Sequence, residues 1–477
     1  MKIFKRIFKY SVILILSLAA IVFVIFIVDD FQTSYLNTNE AQPGENYSYI
    51  IYNVNIIPMN ADTVLTDHVI YIKDGIVDSV GREINTVGVK LINGKNGFLL
   101  PGLIDMHAHV WDVYELGLYL ANGITTVRNV WGIPMHLRMK EKINGNEIYS
   151  PLFFTTGPKL TGPEFIGDDN LQLFTADEAK AKVESYKKRG FDFIKTYYGL
   201  TEDIFDAIIK QANKSGMEIV AHPSQKVPYS YHFNTQIVSI EHAEDIVQQP
   251  LNYKLDTIKL DGVVSEFAKA GNASFCPTLT AYFNIYKMLT ADDILNSENV
   301  KYMNPAIRMI DSKRQYERWR AEKEKDSAIA KKILNQHKFH LLIIKRLHEA
   351  GVNIVCGTDA GIGITAPGFS IHDELQFYSD AGLSNYEVLK TATVNPSKTH
   401  SVLSNVGVIE KGKTANIILL EKNPLKDLNA LKRIKMVVVK GKLLNENILH
   451  KFKTKAKNRN NFVATLFRYL EYLLVEK

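Results

Sequence analysis

The chain has 477 residues, 46% of them hydrophobic, 23% charged and 10% aromatic, which excludes a disordered, collagenous or coiled-coil protein. Two cysteines and no C-x-x-C exclude a disulfide framework, thiolate zinc and dithiol redox chemistry. The formal charge of +6 sits at the ends: residues 1–10 and 445–477 carry +4 each, the 434 residues between them sum to −2, and no nucleic-acid partner is expected.

Residues 10–28 (YSVILILSLAAIVFVIFIV) hold no charge; Lys2, Lys5, Arg6 and Lys9 precede them, and Asp29 and Asp30 follow. As a helix they would span about 28 Å, the thickness of a bilayer's hydrocarbon core. A cleaved signal peptide needs small residues after the apolar run, and FVIFIVDD offers none. The expectation is a signal anchor over residues 1–30. Its basic flank would lie in the cytoplasm, the membrane would be crossed at 10–28, and the rest of the chain would lie on the periplasmic or extracellular side.

Residues 48–102 read as short strands, with Asp74-Gly75 placed for a tight hairpin, and residues 405–444 read alike. Together they suggest one small β-sandwich domain built from both ends of the catalytic region. Between them, residues 103–404 alternate differently. Eight β-rich segments recur: LIDMHAHV, GITTVRNV, PLFFTTG, FDFIKTYY, MEIVAHP, IVSIEHA, ASFCPTL and VNIVCGTDAG. Helical patterns lie between most of them, four ending in Gly at the C-cap position. That is the arithmetic of an α/β fold of the (β/α)8 TIM-barrel type. An open doubly wound sheet competes, but no G-x-G-x-x-G follows an early strand. Residues 283–335 break the period and read as a helical insertion near the barrel mouth. Residues 445–477 read as a basic linker and an amphipathic helix, for a membrane surface, for the chain's own body or for a second subunit in a homo-oligomer.

In such a barrel the active site forms at the C-terminal ends of the strands. Those ends carry His107 and His109 on the first, Lys195 on the fourth, His222 on the fifth, His242 on the sixth and Asp359 on the eighth. His107 and His109 are two apart, so strand alternation turns both to one side. Four imidazoles, a carboxylate and a lysine at one mouth suit zinc or a similar divalent ion. A lone strand histidine is ordinarily a satisfied core group, the default for His136, His232, His337 and His340; it is the ordered set that argues for metal. Arg128, Tyr197 and Tyr198 lie at or beyond strand ends, where a substrate carboxylate could be gripped, although Arg128 equally suits a structural ion pair. Cys276 and Cys356 read as core thiols, and the parity of Cys356, opposite to Asp359, turns it toward the helices.

PGLIDMHAHV resembles the opening motif of the amidohydrolase superfamily, and IKTYY, AHP, SIEH and GTDAG resemble its later motifs in order. The stretch from IHDELQFYSDAGLSNYEVLKTATVNPSKTHSV to GVIEKGKTANIILL resembles the closing helix and β return of its imidazolonepropionase and Xaa-Pro dipeptidase-like branch. The resemblance covers about residues 48–444, apart from most of 283–335, and departs at Asn129 and Asn416, where the branch usually has Asp. It implies two divalent ions, with His107, His109 and Asp359 on the buried one and His222 and His242 on the more exposed one. Lys195 would bridge them as a CO2-derived carbamate. A bare ammonium has no lone pair for a metal, whereas a carbamate is an anion, and burial eases loss of the amine proton. A bridging hydroxide would attack an amide carbonyl, Asp359 moving the proton to the leaving amine.

The resemblance thus implies hydrolysis of a small peptide, an N-acyl amino acid or a cyclic amide. A mononuclear, deaminase-like member would carry H-x-x-E on the fifth strand, but His222 is followed by Gln225. A catalytically silent metal-binding barrel is the other alternative.

Overall fold

A computed structural model describes residues 2–38, 48–84, 88–165 and 170–477. Seven parallel strands, each buried, run through the middle of the chain: Leu103–Ala108, Ile124–Asn129, Leu152–Thr155, Phe193–Thr196, Glu218–Ala221, Ile237–Glu241 and Ser274–Cys276. Residues 354–360 complete the ring, with parallel bridges Phe275 to Ile354 on one side and Ala108 to Ala360 on the other; Thr156 to Phe193 joins the third strand to the fourth. The eight segments close into a barrel, which leaves no sheet edge. The intervening helices end where the sequence pattern puts them. Gly190, Gly216, Gly271 and Gly351 all adopt positive φ, the left-handed conformation that closes a helix.

Strands from both ends of this region share one seven-stranded sheet. Lys90–Pro101 lies at its centre, parallel to Tyr49–Ile56 on one side and antiparallel to Ile417–Leu420 on the other. The sheet folds over a core that includes Ile51, Val54, Ile70, Leu99, Ile417 and Val438. Asp74 and Gly75, both at positive φ, turn the hairpin between Leu65–Lys73 and Ile76–Gly81, a geometry that matches strand twist.

The insertion is helical and sits beside the loop that follows Asp359. Asp311 accepts from the Gly363 amide at 2.8 Å, Asn284 donates to Thr365 at 3.0 Å, and Met288, Val300, Met303 and Ile307 share an apolar cluster with Ile364.

Two expectations about the chain ends are corrected. Among the described residues no helix is long and apolar enough to cross a membrane. The apolar run 10–28 belongs to a longer helix, Lys2–Thr33, whose end is engaged by protein: Arg468 pairs with Asp29, Lys142 with Asp30 at 2.6 Å, and Tyr114 donates to Gln32 at 3.0 Å. The transmembrane anchor, the membrane as partner and the placement of the catalytic region outside the cytoplasm therefore fall together. At the other end, KFKTKAK is not a linker but part of the helix Glu446–Lys457, which buries Phe452 against Gly117 and Leu36. The last helix, Phe462–Glu476, packs on the chain's own body through Tyr472 against Trp131 and through Glu476 paired with Arg189 at 2.6 Å.

Candidate metal centre

The barrel strands bring the six predicted ligands to one end of the barrel. The His107 and His109 rings lie 5.6 Å apart, and the His242 ring stands 4.8 Å from His107 and 4.6 Å from His222. Asp359 Oδ1 lies 2.8 Å from His109 Nε2 and 3.3 Å from His107 Nε2. Lys195 is 1% exposed. His242 and Asp359 have φ of +67° and +56°, a region non-glycine residues seldom occupy, so strand alternation breaks at both. At the sixth strand the consequence is direct: Glu241 and His242 are consecutive, and both face the site. Gly357 is obligatory in the eighth segment, because a Cβ there would lie 2.3 Å from Cys276 Sγ and 2.6 Å from His107 Cβ.

Burial dominates the electrostatics. It holds His109, His222 and His242 in the neutral, ligating form, His222 and His242 well below the usual imidazole range. Burial pushes the Asp359 carboxyl up, but His107 and His109 outweigh it and keep the group well below the usual carboxylate range. Burial also lowers the Lys195 ammonium to about 8. Several buried atoms have no hydrogen-bond partner: Lys195 Nζ, both ring nitrogens of His222, Asp359 Oδ1 and both oxygens of Asp245. Left so, each carries a desolvation cost. One atom each from His107, His242 and Asp359 lies within 4.8 Å of the others, and so does one each from His222, His242 and Asp245. Two adjoining triads of neutral imidazole and carboxylate fit divalent cations.

The histidines are braced from behind. Glu241 Oε2 lies 2.5 Å from His107 Nδ1, fixing that ring with Nε2 toward the site. Glu241 pairs with Arg128 at 2.9 Å, Arg128 reaches His400 at 2.9 Å, and His400 reaches Glu218 at 2.6 Å. Thr278 Oγ1, 2.8 Å from His242 Nδ1, does the same for His242. Arg128 is 1% exposed, and its other contacts are Ser239 and the Met106 carbonyl, so its guanidinium lies beneath the histidines rather than at the mouth. Tyr197 and Tyr198 are half-buried, their rings 4.4 and 4.2 Å from His222. Asn129 accepts from the Val110 amide at 2.9 Å and donates to Thr155 and to the Trp131 carbonyl, a mixed role that an aspartate could not fill. Gln225 is exposed. Cys276 and Cys356 are buried free thiols, Cys276 packed beside Glu241.

Glu241, Asp245, Thr278 and His400 escape sequence reasoning. Alternation assigns Glu241 to the face opposite His242, and Asp245 is read as a helix residue. The usable signal is a pair of opposite charges in apolar strands, Arg in ITTVRN and Glu in IVSIE, because a buried charge needs a partner.

Comparison with known proteins places the chain. Its sequence is 36% identical over 100 residues to the ochratoxinase of Aspergillus niger, a match that spans 20% of this chain and 20% of that protein. The fold resembles that of bottromycin amidohydrolase, with a TM-score of 0.72, 21% identity and coverage of 90% of this chain and 96% of the other. It also resembles a Xaa-Pro dipeptidase with bound methionine, with a TM-score of 0.64, 19% identity and coverage of 83% and 100%. The Amidohydrolase family profile matches residues 98–444, well over half of the sequence, and the chain belongs to that family.

Proposed function

We propose that this protein is a binuclear metal-dependent hydrolase of amide bonds. The carrying observation is the pair of adjoining triads around His242, with the partnerless Lys195 amine buried among the same groups. His107, His109 and Asp359 would hold one ion, His222 and His242 the other, and a carbamate on Lys195 would serve both. Two such ions, most plausibly zinc, supply Lewis acidity that acidifies a water and polarises a carbonyl. The chain's own residues do the rest. Glu241 and Thr278 keep the imidazoles oriented, and Asp359 takes the proton from the attacking water and returns it to the leaving nitrogen. Tyr197 and Tyr198, beside His222 and partly open to solvent, orient the substrate. The names of its structural relatives, a Xaa-Pro dipeptidase, an ochratoxinase and a bottromycin amidohydrolase, support amide substrates: a small peptide, an N-acyl amino acid or a cyclic amide.

The test is elemental analysis of the purified chain after loading with zinc and bicarbonate, followed by a library of dipeptides and N-acyl amino acids. About two ions per chain and release of an amine are expected. A chain that takes up no metal under these conditions would falsify the reading.

A further inference from the structure

One buried carboxylate beside the centre lies outside the ligand set that the sequence motifs imply. Asp245 occupies the first turn of the helix Ala243–Gln248, three residues beyond His242, so the two side chains share a face. It is 1% exposed, and neither of its oxygens has a hydrogen-bond partner. Its Oδ2 lies 3.2 Å from His222 Nε2, yet neither nitrogen of His222 is hydrogen-bonded. Thr278 engages His242 at Nδ1, which leaves Nε2 free to ligate. An aspartate that merely oriented His222 would accept its N–H in good geometry; here carboxylate and imidazole approach without forming that bond.

Charge argues the same way. Two divalent ions bring four positive charges, and Asp359 and a Lys195 carbamate return two negative ones. Glu241 is neutralised by Arg128 at 2.9 Å and contributes nothing further. A buried site with residual positive charge is costly, and Asp245 is the carboxylate that touches it. We propose that Asp245 is a ligand of the ion held by His222 and His242, giving that position two imidazoles and a carboxylate. The proposal rests on the two-ion reading above.

The test uses the full chain loaded with cobalt(II) and bicarbonate, with ions counted per chain, the weaker ion titrated against a competing chelator, and the visible cobalt absorption recorded. Wild type should hold two ions. D245N should hold one ion as tightly as wild type and the second about tenfold or more weakly, with an altered cobalt spectrum. An Asn that bound both ions within about twofold and left the spectrum unchanged would show Asp245 to be no ligand, while the two-ion reading survived. A wild-type chain that bound no ion would remove both. Should D245N not fold, a crystal structure of the zinc-loaded wild type decides: an Asp245 oxygen within about 2.2 Å of an ion supports the proposal, and a longer distance overturns it.

Discussion

An amine buried among imidazoles at the end of an apolar strand can lower its free energy by shedding its proton or by becoming an anion. Lys195, with its ammonium lowered to about 8 by burial, is poised for both. Carboxylation needs the neutral amine, so reconstitution of the metal-free chain with zinc and bicarbonate should quicken as pH rises from 7 to 9. A flat profile would count against the carbamate. The sign for stability is the same: between about 8 and 10.5 the unfolded lysine binds the extra proton, so the metal-free fold gains stability as pH rises through that window. Lys195→Ala should lose metal and activity, with partial rescue by a short carboxylic acid. Lys195→Arg should fail equally, since a guanidinium stays charged and forms no carbamate. A near wild-type rate for Lys195→Arg would leave Lys195 structural. The ligand residues were legible because strand ends repeat along the sequence in order. Their support was not: Glu241 and His242 face the same site only because His242 sits at positive φ, and alternation carries no sign of that. Arg128 illustrates the converse. Its place near a strand end is legible, but its burial against Glu241 depends on a strand more than a hundred residues away.

At the level of elements, the barrel strands and their glycine-capped helices could be read because period and cap recur together. The C-terminal helices could not, since an amphipathic helix does not announce what it will cover. Their attachment is polar as well as apolar. The Arg459 side chain is buried 3.3 Å from Asp112 and 3.2 Å from Glu115, both just beyond His109, and Asp112 also accepts from Asn304 of the insertion and from Asn461. The tail, the insertion and the loop after the first strand thus meet at one buried pair of acids. Burial and Asp112 raise the Glu115 carboxyl to about 8 despite Arg459, so Glu115 demands its partner chiefly above that pH. Arg459→Met should destabilise the chain by about 3–5 kcal/mol, the cost of orphaning a buried charge. The loss in denaturant titrations should be larger at pH 9 than at pH 6, where Glu115 is protonated in the fold. An equal loss at both would show that Arg459 acts through packing alone.

Across the whole molecule, the centre draws side chains from the first, fourth, fifth, sixth and eighth barrel segments, so bound ions would tie together most of the ring. The seven-stranded sheet contributes none of these residues. Ions that bind the folded barrel and not the open chain stabilise it by mass action, by about 4 kcal/mol for each site held at a thousandfold over its dissociation constant. Removing the ions with a chelator should therefore lower the melting temperature by several degrees. It should also speed amide exchange in the strands that bear His107, Lys195, His222 and His242. Protection in Tyr49–Ile56 and Ile417–Leu420 should hardly change, because those strands rest on their own apolar core. Zinc with bicarbonate should restore both melting temperature and turnover, and zinc in CO2-free buffer should restore them only partly. If the metal-free and loaded chains melt together and exchange alike throughout, the triads around His242 are not where the ions bind, and the functional reading built on them fails.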